Sequence, residues 1–168
     1  IRKHYIDPYA AAGGNTDDII AISLATDNGK VPAKVLKSSL TNIHKICKHL
    51  QVNTLWIADA AYFKKMVGIP SSKQRGYVAP SVALKEPVID AGRYQCISLP
   101  NYAQIFYDDT VKDLITESVD TLVSHVNGTW VEPGTDFIQY EYYPQGLSQI
   151  ENALRDLYKY PRLAVDIE

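Results

Sequence analysis

A chain of 168 residues is long enough for one domain with a real hydrophobic core, and 46% hydrophobic with 21% charged residues is an ordinary globular composition. A net charge of −2 excludes overall basic character as a nucleic-acid signal, leaving that role to a local patch, and no apolar run approaches the roughly 18–20 residues of a membrane span. Two cysteines, Cys47 and Cys96, are too few for a disulfide framework; with no visible signal peptide they point to a reduced, cytoplasmic setting.

In chain order, His4-Tyr5-Ile6-Asp7 reads as a short strand running into a loop of small residues, Pro8 to Asn15. Ile19 to Leu24 fits either a helix capped from Asn15–Asp18 or a buried strand, since so short a run has no decisive period. Asp27-Asn28-Gly29-Lys30 is a turn. Thr41 is the expected N-cap of a helix with Ile43, Ile46, Cys47 and Leu50 on its apolar face. Leu55 to Ala58 reads as a buried strand. Asp59 opens a second helix with Tyr62, Phe63, Met66 and Val67 inward and Gly68 closing it.

Ile69 to Ala91 is irregular, with an exposed polar loop from Pro70 to Gly76 and short strands at Tyr77–Pro80 and Val88–Ile89. Gln95 to Leu99 is a core strand. Val111, Leu114, Ile115, Leu122, Val123 and Val126 then mark the clearest helix, capped by Asp108 or Asp109 and ended by Gly128. Pro133-Gly134 is a turn within a linker-like stretch. Residues 136–143 alternate like a strand. Ser148-Gln149-Ile150-Glu151 has the form of a capping box for a helix with Leu154, Leu157 and Tyr158 inward, stopped by Pro161. This order predicts an α/β domain over residues 1–130, a central, mostly parallel sheet flanked by helices, and the start of a second domain over 131–168.

The last stretch carries the sharpest chemistry. Leu163, Val165 and Ile167 alternate with Ala164, Asp166 and Glu168, so one strand face is aliphatic and the other bears two carboxylates about 6.6–7 Å apart along the chain. Carboxylates so placed cannot both be buried unpaired, and a divalent cation is one way to satisfy them; two-metal phosphoryl-transfer sites hold ions about 3.5–4 Å apart. The chain begins at Ile1 rather than Met and ends within this expected strand, which suggests a piece of something longer.

Leu163-Ala164-Val165-Asp166-Ile167-Glu168 resembles the first motif of the DnaQ-like 3′–5′ exonucleases, the RNase H-like proofreading domains of DNA polymerases. The resemblance covers about the last thirty residues; the family's further motifs, N-x-x-[F/Y]-D and Y-x-x-x-D, have no counterpart in them. It implies that Asp166 and Glu168 are catalytic and bind Mg²⁺ or Mn²⁺, two ions in a complete site. The preceding region is similar in organisation to the α/β accessory domain, akin to uracil-DNA glycosylases, that precedes the exonuclease in several tailed-phage family A DNA polymerases. The shared features are Leu55 to Asp59 leading a helix that ends at Gly68, the strand-end loop Ser98 to Gln104, and the long helix that follows. The resemblance implies DNA as a partner, with other replication proteins as further ones, and the infected host's cytoplasm as the setting of a phage protein.

Against the glycosylase motifs G-Q-D-P-Y-H and H-P-S-P-L, Asp7-Pro8-Tyr9 matches the middle of the first and Leu99-Pro100-Asn101 takes the place of the second. Tyr5-Ile6 replaces Gly-Gln, Ala10 replaces the closing histidine, and the later histidine has no counterpart near Pro100. A glycosylase must orient a water and stabilise charge on the departing base, so a degenerate domain is the expectation, an active uracil-DNA glycosylase the lesser alternative, and Asp7 a turn residue before Pro8.

Other groupings have ordinary readings beside functional ones. Gly13-Gly14-Asn15-Thr16 has the form of a phosphate cradle but lacks the lysine of a P-loop, so a tight turn is the better reading. His44, Cys47 and His49 at i, i+3 and i+5 do not converge on one ion, which leaves a solvated helix face. Lys64, Lys65, Lys73 and Arg75 form a basic cluster suited to a DNA backbone or to plain solvent. Tyr140, Tyr142 and Tyr143 suit base stacking or simple strand pairing. The rival to an exonuclease is therefore a non-catalytic module that binds DNA or a replication protein, with Asp166 and Glu168 as incidental surface charge.

Overall fold

The computed structural model describes residues 1–27, 31–135 and 142–161. The chain divides into two compact units, Ile1–Pro133 and Gly134–Glu168.

The first unit is a mixed α/β structure. Strand β1 (Thr54–Ile57) runs parallel to β5 (Gln95–Ser98), with Leu55 opposite Cys96 and Trp56 opposite Ile97. Strand β2 (Val78–Pro80) lies on the other side of β5 and is antiparallel to it, Ala79 facing Cys96. The sheet order is β1-β5-β2, so the sheet is mixed rather than mostly parallel as expected. The cause lies in the connections. A parallel neighbour needs a crossover of a dozen or more residues, usually helical. Between β2 and β5 the chain instead makes a small hairpin of β3 (Leu84–Lys85) and β4 (Val88–Ile89) and returns without a helix.

Alternation along β5 builds a core on each face of the sheet. Cys96 joins Leu40, Cys47, Phe63, Met66 and Tyr94 beneath helices α2 (Ala33–His49) and α3 (Ala60–Val67). Ile97 joins Tyr5, Tyr9, Ile115, Val119 and Leu122 beneath helices α1 (Ile6–Ala11) and α4 (Val111–Val126).

Helix α3 follows its local signals closely. Asp59 Oδ1 accepts the Tyr62 amide at 2.7 Å. Tyr62, Phe63, Met66 and Val67 are buried, and Gly68 closes the helix at φ +82°, a conformation that costs a residue with a Cβ more than it costs glycine.

Elsewhere the sequence reading is corrected. The expected strand at residues 4–7 is a 3-10 turn (Arg2–His4) leading into α1. Tyr5 and Tyr9, four apart, both reach the core while Asp7 between them is exposed, which is a helical and not a strand pattern. Pro8 falls in the first turn, where no backbone N–H is needed, so Asp7 is a helical residue and not a turn residue. Residues 19–26 form neither helix nor ladder: Ile19 and Leu24 rest against the cores while Ile20 and Ile22 are exposed.

Helix α2 starts two turns before Thr41, after Pro32, because its apolar stripe begins at Leu36 and continues through Leu40, Ile43 and Cys47. Thr41 Oγ1 donates to the Lys37 carbonyl at 3.3 Å, an interior position and not a cap. Ile46 and Leu50, expected inward, are exposed. On α4, Val111, Ile115, Val119 and Leu122 form the buried stripe and Val126 is exposed. Asp108 accepts the Thr110 amide and hydroxyl at 3.0 and 2.6 Å, which orders the turn just ahead of the helix.

In the second unit the described element is α5 (Leu147–Leu157). Its N-cap is Gly146 rather than Ser148, and Gln149 Oε1 reaches back to the Gln145 amide at 2.8 Å. Leu154, Leu157 and Tyr158, expected inward, are exposed, and with Leu147 and Ile150 the two leucines make an uncovered apolar stripe. The expected strands at 136–143 and 163–168 fall largely outside the described residues, Asp166 and Glu168 with them. Among the described residues no helix is long and apolar enough to cross a membrane.

Candidate functional site

Because β1 and β5 are parallel, their carboxyl ends lie side by side, where open α/β sheets place ligands. Asp59 leaves β1 and Pro100-Asn101-Tyr102 leaves β5. Tyr5 ties the chain's start to this corner. Its buried hydroxyl donates to the Pro100 carbonyl at 2.8 Å and accepts the Tyr102 amide at 2.7 Å. Burial pushes the Tyr5 phenol above its usual range, and the Tyr102 amide partly offsets that.

Aromatic rings complete the corner. Tyr102 stacks on the His4 ring, with centroids 4.8 Å apart and planes 7° from parallel. Tyr5 meets Trp56 edge-on at 5.9 Å. Trp56 Nε1 donates to Ser118 Oγ at 2.7 Å, and Ser118 donates in turn to the Ser98 carbonyl at 2.6 Å, linking β1, α4 and β5. Asp59 and Asn101 each use a side-chain oxygen on a local backbone amide, those of Tyr62 and Ala103. Asp7 is exposed, with Arg2 3.5 Å away.

The arrangement thus brings together Asp7-Pro8-Tyr9 and Leu99-Pro100-Asn101, the two segments that the sequence reading compared with the glycosylase motifs. The side chains of Tyr5, Trp56, Ser118, Asp59 and Asn101 are engaged with each other or with backbone. Sequence reasoning missed Tyr5, His4 and Tyr102; the four-residue spacing of Tyr5 and Tyr9 suits a strand face as well as a helix face and gave no signal.

The glycine loop is a turn. Gly13 N and Gly14 N donate to the carbonyls of Ala10 and Tyr9 at 3.0 and 2.9 Å, so these amides close α1 and do not face a phosphate. Gly14 also packs against the Tyr9 ring, where a Cβ would lie 2.2 Å from Cζ.

The helix histidines separate. His44 Nδ1 lies 2.7 Å from the Tyr94 hydroxyl, and Cys47 is buried in the core, so this side of α2 is not a solvated face; His49 is exposed. Burial lowers the His44 pKa, assisted by Lys48 and Arg93 and opposed by Asp90. Burial also pushes the Cys96 thiol up to about 12, which makes it a packing residue rather than a nucleophile. Among the described residues no three His, Cys, Asp or Glu side chains are grouped to hold a metal ion.

The basic cluster is exposed throughout. Lys64 and Lys65 lie in the last turn of α3; Lys73 ends the 3-10 turn Ser71–Lys73, and Arg75 follows two residues on. None of the four is in an ion pair among the described residues.

Comparison with family models, curated proteins and solved structures finds no match to this chain. The site must therefore be read from its own chemistry.

Proposed function

We propose that this chain is the N-terminal part of a DNA-replicating DNA polymerase. Residues up to about 130 serve as an accessory α/β domain without chemistry of its own. Residues from about 131 serve as linker and start of a 3′–5′ proofreading exonuclease.

The supporting observation for the accessory domain is the Tyr5 bridge. It joins two segments 95 positions apart that the sequence reading compared with the two glycosylase motifs, and the Tyr5 hydroxyl there is engaged structurally. The exonuclease reading draws on the sequence after α5, an apolar alternation that ends in Asp166-Ile167-Glu168.

Those two carboxylates are hard oxygen donors, the ligand type that Mg²⁺ and Mn²⁺ take. A metal bound there supplies Lewis acidity for activating water and for the departing 3′ oxygen of a terminal phosphodiester. The role of Asp166 and Glu168 is to hold that charge beside the scissile phosphate. Asp166→Ala in the whole protein that carries this chain is expected to lose 3′–5′ exonuclease activity and keep polymerisation. Proofreading retained in that variant overturns the reading.

A further inference from the structure

Residues 60–85 hold five cations, Lys64, Lys65, Lys73, Arg75 and Lys85, and no carboxylate, in a chain whose net charge is −2. All five are exposed. This stretch also frames an open groove of about 850 Å³ in the first unit, whose lining includes Val67, Ile69, Gln74, Tyr77 and Val82. Lys73 and Arg75 flank Gln74 in sequence, and Lys64 and Lys65 precede Val67 by less than one helical turn. Trp130 Nε1 donates to the Gly76 carbonyl at 3.3 Å and so holds the cationic loop against the domain. Carboxylates on this side include Glu132, which lines the groove, Asp90, which precedes the lining residues Ala91 and Gly92, and Glu117, whose Oε1 would lie 2.8 Å from a Cβ placed on Gly76.

A largely apolar floor with an aromatic ring, whose lining residues have exposed cations as near neighbours in sequence, suits one class of polyanion. Stacked bases need the ring and the phosphates need the cations. A duplex keeps its bases inward and has no use for the floor. We propose that this groove binds single-stranded DNA, with Lys64, Lys65, Lys73 and Arg75 on the phosphates and Tyr77 against a base. Glu132 and Glu117 orient the strand by keeping phosphates to the lysine and arginine side. The inference deepens the polymerase reading, from which it takes only DNA as the nature of the polyanion.

The test is fluorescence anisotropy of a labelled oligo-dT of about 12 nucleotides, within the usual span of single-strand sites, titrated with this chain in EDTA at several salt concentrations. Lys73→Ala/Arg75→Ala is expected to weaken binding about tenfold and to flatten the salt slope by about 0.7 per phosphate contact removed. Tyr77→Leu is expected to weaken binding about fivefold or more at an unchanged salt slope. Lys45→Ala/Lys48→Ala, on exposed positions of α2, is the control and leaves binding unchanged. Circular dichroism confirms that each variant is folded. No binding at low salt, equal weakening by the control pair, or a duplex of the same length bound as tightly as the single strand overturns the proposal. EDTA removes any metal-dependent hydrolysis, so this inference and the exonuclease reading fail separately.

Discussion

The Tyr5 hydroxyl donates to the Pro100 carbonyl at 2.8 Å, a single hydrogen bond that spans 95 residues of chain. The same oxygen accepts the Tyr102 amide at 2.7 Å. One side chain therefore satisfies a backbone acceptor and a backbone donor in a partly buried corner where unpaired groups are costly. The loop leaving β5 owes its path to a residue near the chain's start.

Tyr5→Phe keeps the ring contacts with Trp56 and Tyr102 and removes both hydrogen bonds. A buried group left unpaired costs about 1–3 kcal/mol. Urea denaturation should show a loss in that range, and hydrogen exchange at the Tyr102 amide should accelerate. An unchanged midpoint with unchanged exchange at Tyr102 would mean that the bridge does not hold the loop.

Gly14 touches the Tyr9 ring so closely that an added Cβ would lie 2.2 Å from Cζ. Tyr9 is almost completely buried and has little room to yield. Gly14→Ala should therefore destabilise the domain by about 1–3 kcal/mol, the usual scale of overpacking. The effect should shrink in a Tyr9→Leu background, a coupling that a double-mutant cycle measures. Additive losses in the cycle would place the cause in the backbone instead of in the ring.

His44 Nδ1 faces the Tyr94 hydroxyl at 2.7 Å, and burial lowers the histidine pKa, with Lys48 and Arg93 adding to the effect. A depressed pKa means that folding favours the neutral ring. Its contribution is fully present above the ordinary histidine value of about 6.5 and is lost as pH falls through the lower folded value. Thermal unfolding from pH 8 down to pH 5 should show the difference in Tm between the native chain and His44→Gln narrowing as pH falls below about 6.5. A difference that stays constant over that range would rule out a titrating contribution from His44.

Some of this architecture is written locally. The span from β1 through α3 was legible because each decision there is made within a few residues. A hydrophobic run makes the strand, Asp59 caps the next helix, four side chains mark its buried face, and Gly68 ends it. The helical stripe of α4 was legible for the same reason, although Val126 fell outside it. Where two periods competed over few residues, as at residues 4–9, pattern alone chose wrongly, because Tyr5 and Tyr9 are read correctly only once the core they enter is known.

By itself, the sequence determined the composition, the helical face of α3, the positions of β1, β2, β4 and β5, and the placement of Asp166 and Glu168 two residues apart. Tertiary structure decided the rest. Strand direction depends on how the chain returns to the sheet, and the helix-free return from β2 made β5's second neighbour antiparallel. The Gly13-Gly14 amides could be assigned only after their acceptors in α1 were seen. Tyr5, Pro100 and Tyr102 meet because two distant segments share one end of a parallel strand pair. Local propensity is a property of neighbours in sequence, while a site is a property of neighbours in space, and only packing relates the two.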